Sequence, residues 1–263
     1  MTLSGPLVVI VGPTAVGKTA LSLYLAERLN GEIVSADAMQ IYRGMDIGTA
    51  KVEPEIQKRM PHHLIDWVDP HQPYTVKQYQ DDALKVIAHL YERRKLPIVV
   101  GGTGLYVSAL VYYPFYHFGE NKPRLPVRAP KKSPFRLMMI GLTMERSVLY
   151  KRIDARVEEM MQRGLLEEVH RLLQAGVDPD AQSMQALGYK ELVPVVRGER
   201  PLDEAIRMIQ KRTRQYAKRQ LTWFRALGDV RWYEVHEKDT MQIFQKIAED
   251  VAGFLKTTSN DTH

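Results

Sequence analysis

Gly12-Pro13-Thr14-Ala15-Val16-Gly17-Lys18-Thr19 fits the pattern G-x-x-x-x-G-K-[ST], directly after the apolar run 7–11 and before a helical stretch at 20–29. Such a loop turns backbone N–H groups inward, and the following helix adds the positive end of its dipole. Lys18 contributes a mobile positive charge, and the Thr19 hydroxyl can ligate Mg²⁺. The ligand this chemistry selects is a chain of phosphates, with no statement yet of which one.

A nucleotide hydrolase or motor normally ends a later apolar strand in a carboxylate that holds magnesium. Here residues 97–100 run into Gly101-Gly102-Thr103-Gly104, and residues 137–140 run into Gly141-Leu142. No Asn-Lys-x-Asp segment is present to read guanine, since Asn121-Lys122 is followed by Pro123-Arg124. The one candidate strand that does end in an acid is 33–37, closing on Asp37 and continuing as Ala38-Met39-Gln40-Ile41-Tyr42. In an open α/β sheet the carboxyl ends of the strands line the ligand crevice, which places Asp37 beside the phosphate loop as a proton acceptor, a helix cap or an outer partner of magnesium. The glycines at 101–104 let backbone approach a ligand closely, with the Thr103 hydroxyl among them. His62-His63 has no third ligand at a familiar spacing, so a structural or substrate-shaping role is expected for it.

The elements that must hold these residues form an α/β pattern: short apolar runs at 7–11, 32–35, 97–100 and 136–142 alternate with helical stretches, as in a mostly parallel sheet flanked by helices. A phosphate-loop core is expected over 1–142. Within it, 111–135 holds Pro114, Pro123, Pro126, Pro130 and Pro134 among basic residues, which predicts an exposed loop. A mainly helical part is expected over 143–263, with one strand at 230–235. In the helix at 202–227, Ile206, Ile209, Tyr216, Trp223, Phe224 and Leu227 share one side, while Arg207, Lys211, Arg214, Lys218 and Arg225 form a positive stripe uninterrupted by acids over 205–228.

Composition agrees with a folded protein that meets a polyanion: 44% hydrophobic, 26% charged, net charge +6 and a pI near 9.3. The absence of cysteine excludes disulfides, thiolate zinc sites and a cysteine nucleophile. No apolar run approaches the roughly 20 residues that span a bilayer, and the first 13 residues lack the features of a signal peptide, so a cytoplasmic protein with no membrane partner is expected.

The motifs together resemble the tRNA dimethylallyltransferases. The resemblance is carried by Gly12 to Thr19, Ser35-Ala36-Asp37-Ala38-Met39-Gln40-Ile41-Tyr42, Ile47-Gly48-Thr49-Ala50-Lys51, His62-His63-Leu64-Ile65-Asp66 and Gly101 to Tyr106. Downstream it continues through Gln185-Ala186-Leu187-Gly188-Tyr189-Lys190-Glu191 and the segment Thr213 to Phe224. It implies dimethylallyl diphosphate as donor, N6 of the adenosine 3′-adjacent to the anticodon in tRNA as acceptor, and Mg²⁺ as cofactor. By the same resemblance Asp37 is the general base, Thr103 lines the channel where donor and base meet, and Arg219 steadies the pyrophosphate, with Arg214 and Lys218 as neighbouring candidates. Asp37, Ala38, Met39, Gln40, Thr103, Arg214 and Lys218 are then expected to contact the anticodon stem-loop of tRNA, and a monomer is expected. The family places an arginine-rich helical insertion where this chain has the short Pro-rich segment 111–135, a reduced insertion.

The residues support this chemistry independently. An exocyclic adenine amine is a weak nucleophile that must lose a proton as its C–N bond forms, and a phosphate cradle can stabilise a departing pyrophosphate. Three alternatives remain: an enzyme that prenylates free adenine nucleotides, a small-metabolite kinase, and an RNA-binding NTPase that only switches shape.

Overall fold

In a computed structural model, which describes residues 4–113 and 133–257, strand β1 (Pro6–Val11) is the inner strand on which the phosphate loop is mounted. It continues through that loop into helix α1 (Lys18–Arg28), and the chain returns along β2 (Gly31–Ser35). Helix α2 (Pro54–Arg59), the two-residue strand β3 (His62–His63) and helix α3 (Val76–Glu92) follow. Then come β4 (Leu96–Val100), α4 (Gly104–Val111), β5 (Arg136–Thr143), α5 (Arg146–Gln162), α6 (Leu165–Gln174) and α7 (Tyr189–Val196). The described chain closes with α8 (Leu202–Arg225), β6 (Val230–Glu234) and α9 (Thr240–Lys256).

The strands form one six-stranded, all-parallel sheet in the order β3-β2-β4-β1-β5-β6. Both faces are covered, which is why β1 and β4 read as unbroken apolar runs. Along β1 the side chains alternate: Leu7, Val9 and Val11 join the cluster containing residues of α3, α4 and α8, while Val8 and Ile10 join the one under α1, α5 and α9. All five are fully buried, each contributing roughly 1.5–3 kcal/mol of transfer free energy as a side chain of this size. Because the sheet is parallel, the carboxyl ends of β1, β2 and β4 open on one edge, bringing the phosphate loop, Asp37 and Gly101–Thr103 together.

Three features differ from the sequence reading. Strand β3 was not foreseen, because two residues carry no alternation to detect. Helix α1 starts at Lys18, two residues early, since left-handed Gly17 (φ 107°) supplies its cap. The segment 111–135 is not an exposed loop at its ends: Val111 closes α4, Tyr112 and Phe135 are buried, and the Ser133 hydroxyl donates to the Val111 carbonyl at 2.7 Å. Residues 114–132, including the prolines there, lie outside the described residues.

Candidate active site

The phosphate loop owes its shape to left-handed backbone. Gly12, Ala15 and Gly17 have φ of 143°, 65° and 107°, and a Cβ at Gly12 would stand 2.5 Å from the Leu142 carbonyl oxygen, so only glycine fits there. Ala15 carries the strain of a side chain in that region, a feature that clusters at ligand clamps. Val16 is buried in the core below. Lys18 folds back over the loop and donates from Nζ to the Gly12 and Pro13 carbonyls at 3.0 and 2.8 Å. Desolvation depresses its pKa to about 7; the charge of Asp37 opposes this shift and that of Arg156 adds to it. Thr19 is exposed at the start of α1, facing the same cavity as Lys18.

Asp37 follows β2. Its Oδ1 accepts from the Met39 and Gln40 N–H groups at 2.9 and 3.4 Å, leaving Oδ2 without a hydrogen bond to the described residues. Local capping and access to the cleft thus coexist in one carboxylate. The Thr103 hydroxyl accepts from the Ala38 N–H at 3.0 Å, tying the turn after β2 to the one after β4. Tyr216 of α8 stands beside Thr103 and Gln220; burial, with Asp37 adding to it, pushes its phenol up to about 12.

Two adjoining cavities share Thr14, Asp37, Thr49, Arg156 and Tyr216 as a common wall. One, of about 580 Å³, runs along the phosphate loop with Lys18, Thr19, Gly102 and Arg152. The other, of about 350 Å³, is lined by apolar Met39, Ile153, Val157, Ala186 and Ile209, with Arg219 and Lys190 among its polar groups. Their outer wall is the loop 46–51, which buried Glu168 holds by accepting from the Asp46, Ile47 and Gly48 N–H groups at 2.9–3.2 Å while the Tyr189 hydroxyl donates to it.

Of the cations the sequence singled out, Arg219 is exposed, lines the apolar cavity but not the phosphate one, and lies 5.7 Å over the Tyr216 ring. Arg207, Lys211, Lys218 and Arg225 are exposed along α8, but Arg214 is half-buried and ion-paired with Asp154, so the positive stripe is interrupted. The interrupting acid comes from α5, which a scan of α8 alone could not show. His63 bonds through Nε2 to buried Glu32 at 2.8 Å, and Arg93 pairs with the same carboxylate; this is a structural role.

The sequence reading missed Arg156. It lies on α5 against both cavities, makes no hydrogen bond or ion pair with a described residue, and has its pKa lowered by desolvation against the opposing charge of Asp37. Its signal was available: Arg152 and Arg156 lie four residues apart, on one helical face. Glu168 and Gln220 were also missed, since nothing in sequence marks a polar residue whose partners lie over 100 positions away.

The sequence pattern of the IPP transferases matches residues 40–129 and 115–227. The chain belongs to the IPP transferase family. It is 39% identical over 312 aligned positions to a tRNA dimethylallyltransferase of Halalkalibacterium halodurans, covering 96% of this chain and 98% of that protein. To one from Pelotomaculum thermopropionicum it is 40% identical over 306 positions, covering 95% and 98%. The crystal structure of the full-length tRNA isopentenylpyrophosphate transferase from Bacillus halodurans superposes with a TM-score of 0.84 at 41% identity, covering 97% of this chain and 98% of that one. A eukaryotic dimethylallyltransferase acting on tRNA follows at 0.79 and 25%, covering 95% and 80%. Since 96% of 263 residues is about 252, about 60 of the 312 positions aligned to the Halalkalibacterium protein have no counterpart here. The two family matches meet at 115–129, the place where this IPP transferase was expected to carry a reduced insertion.

Proposed function

We propose that this IPP transferase moves the dimethylallyl group of dimethylallyl diphosphate to N6 of the adenosine 3′-adjacent to the anticodon of a tRNA, releasing pyrophosphate. The observation that carries this reading is the shared wall: a cationic phosphate cradle and an apolar cavity meet at Asp37, Thr14, Arg156 and Tyr216. That the relatives are tRNA dimethylallyltransferases, and that a structural neighbour acts on tRNA, supports the choice of substrates.

The diphosphate lies along the loop N–H groups and the N-terminus of α1, with Lys18 and Arg156 on its oxygens. As the allyl C–O bond breaks, its electron pair stays with the pyrophosphate, and these fixed charges stabilise the oxygen that gains it. The N6 lone pair forms the new bond to the allyl carbon while the amine proton passes to Asp37. The apolar cavity receives the unstacked adenine and limits access of water, which would otherwise hydrolyse the donor. In this arrangement Arg156 takes the pyrophosphate role that the family resemblance gave to Arg219, and Arg219 stands with Lys190 at the acceptor side.

The Thr19 hydroxyl on the phosphate cavity is an oxygen donor, which together with the diphosphate oxygens suits Mg²⁺. Bound there, Mg²⁺ would supply further charge neutralisation for the leaving group. No described helix is long and apolar enough to cross a membrane, and we place the activity in the cytoplasm with its tRNA.

Incubating the protein with dimethylallyl diphosphate and either unmodified tRNA or AMP, followed by mass spectrometry of the nucleosides, tests the reading. Dimethylallyl-adenosine from tRNA is the expected product. Prenylated AMP with unchanged tRNA would replace the acceptor by a free nucleotide, and phosphoryl transfer from labelled ATP to a small alcohol would make the chain a kinase.

A further inference from the structure

Helix α8 presents exposed cations on one side, while its opposite side enters the phosphate cavity through Tyr216 and Gln220. Gln220 is 5% exposed. Its Oε1 accepts from the Thr14 N–H at 2.8 Å, and its Nε2 donates to the Gly102 carbonyl at 3.0 Å. One amide thus spans the phosphate loop after β1 and the turn after β4, across 206 and 118 residues of sequence. The fit is close: a Cβ at Gly102 would lie 2.1 Å from Nε2, so glycine is the residue that leaves room for the amide.

The loop has a second internal fastening, the Lys18 ammonium on the Gly12 and Pro13 carbonyls. A bound anion competes for that ammonium, because two of its three donors already lie on the carbonyls and only one is left for a phosphate oxygen. We propose that Gln220 is a positioning residue for the donor: it keeps the Thr14 and Gly102 turns in register while Lys18 divides its donors between the loop carbonyls and the phosphates, and so ties the cradle to α8. The inference rests on the diphosphate reading of the phosphate loop.

Inorganic pyrophosphate binding by calorimetry, amide hydrogen exchange and steady-state kinetics test it on the full chain. Gln220→Met keeps the volume and removes both bonds. It is expected to raise the pyrophosphate Kd and the donor KM by tenfold or more, to leave tRNA affinity within twofold, and to speed exchange at Thr14 while Val9 and Ile10 stay protected. Gln220→Glu retains an acceptor for Thr14 but sets a carboxylate against the Gly102 carbonyl. Thr14 then stays protected and donor affinity still falls, which also guards against a Met variant that fails to fold. A merely structural role would lower Tm without splitting the donor from the RNA terms. Pyrophosphate binding within twofold of wild type in either folded variant overturns the proposal. If Lys18→Ala instead binds pyrophosphate as wild type does, the phosphate-loop reading fails first and this proposal falls with it.

Discussion

On its phosphate side the cleft is built from neighbours in sequence, Thr14, Ala15, Gly17, Lys18 and Thr19, whereas the facing cavity takes Met39, Ile153, Val157, Ala186 and Ile209 from scattered parts of the chain. The first wall offers backbone N–H groups and a helix end, features that a short motif specifies. The second offers shape and apolar area, which any residue of suitable size can supply, so no spacing is imposed. Donor chemistry is therefore expected to be sensitive to single polar substitutions, and acceptor fit to respond in smaller steps.

Asp37 lies on the boundary and gives the largest expected effect. Asp37→Asn preserves shape and the cap on Met39 and Gln40, yet an amide cannot accept the amine proton. The single-turnover rate with both substrates saturating should fall about 10²-fold or more, the usual contribution of a general base. A fall below threefold with weakened binding would make Asp37 a ligand for substrate or metal instead.

The next comparison sets Arg156 against Arg219, one on the shared wall and one on the acceptor side. Arg156→Ala removes a desolvated cation from the leaving group and should lower kcat/KM for the donor by roughly 10²–10³-fold, the scale for losing one preorganised donor. Arg219→Ala should weaken tRNA more than donor. The opposite ranking, measured by varying each substrate at saturating partner, would return the pyrophosphate to Arg219.

A smaller effect concerns protons. With its pKa lowered by desolvation to about 7, Lys18 is largely neutral at pH 8, and a bound polyanion favours its charged form. Pyrophosphate binding at pH 8 should therefore take up to about one proton more than in Lys18→Arg, whose side chain stays charged throughout. Below pH 6 Lys18 is already protonated, and the difference should vanish. Calorimetry in two buffers of different ionisation enthalpy reads this directly; equal uptake by both proteins at pH 8 would remove Lys18 as the titrating group.

The same division explains what the sequence discloses. The phosphate loop, Asp37 at a strand end and the Gly101–Thr103 turn are local patterns, and the structure brings all three to one edge of the sheet. The β1, β2, β4 and β5 runs were legible because strands buried on both faces are mostly apolar, even where β2 carries Glu32 and Ser35. Strand β3 is too short to show a period, and Gln220 and Glu168 act on backbone atoms whose identity leaves no trace in sequence. Arg214 looked like one cation of five along α8, since helical angles report the helix alone and not Asp154 on the helix packed against it.

That last contrast yields the smallest and most discriminating prediction. Exposed Arg207 and Lys211 are free to neutralise RNA phosphates, and each lost contact should flatten the slope of log affinity against log salt by up to about 1 unit, less for a single strand. Arg214 already pairs with Asp154 and lies 6.0 Å from the Tyr150 ring, so Arg214→Ala leaves an unpaired carboxylate on α5 rather than a lost RNA contact. Its salt slope should stay near wild type, and Tm should fall modestly, because half-exposed ion pairs contribute little. Arg207→Ala with Lys211→Ala should show the reverse, a flatter slope at unchanged Tm. If the double variant keeps the wild-type slope while Arg214→Ala flattens it, the RNA face is not the exposed stripe, and Arg214 must leave Asp154 to bind tRNA.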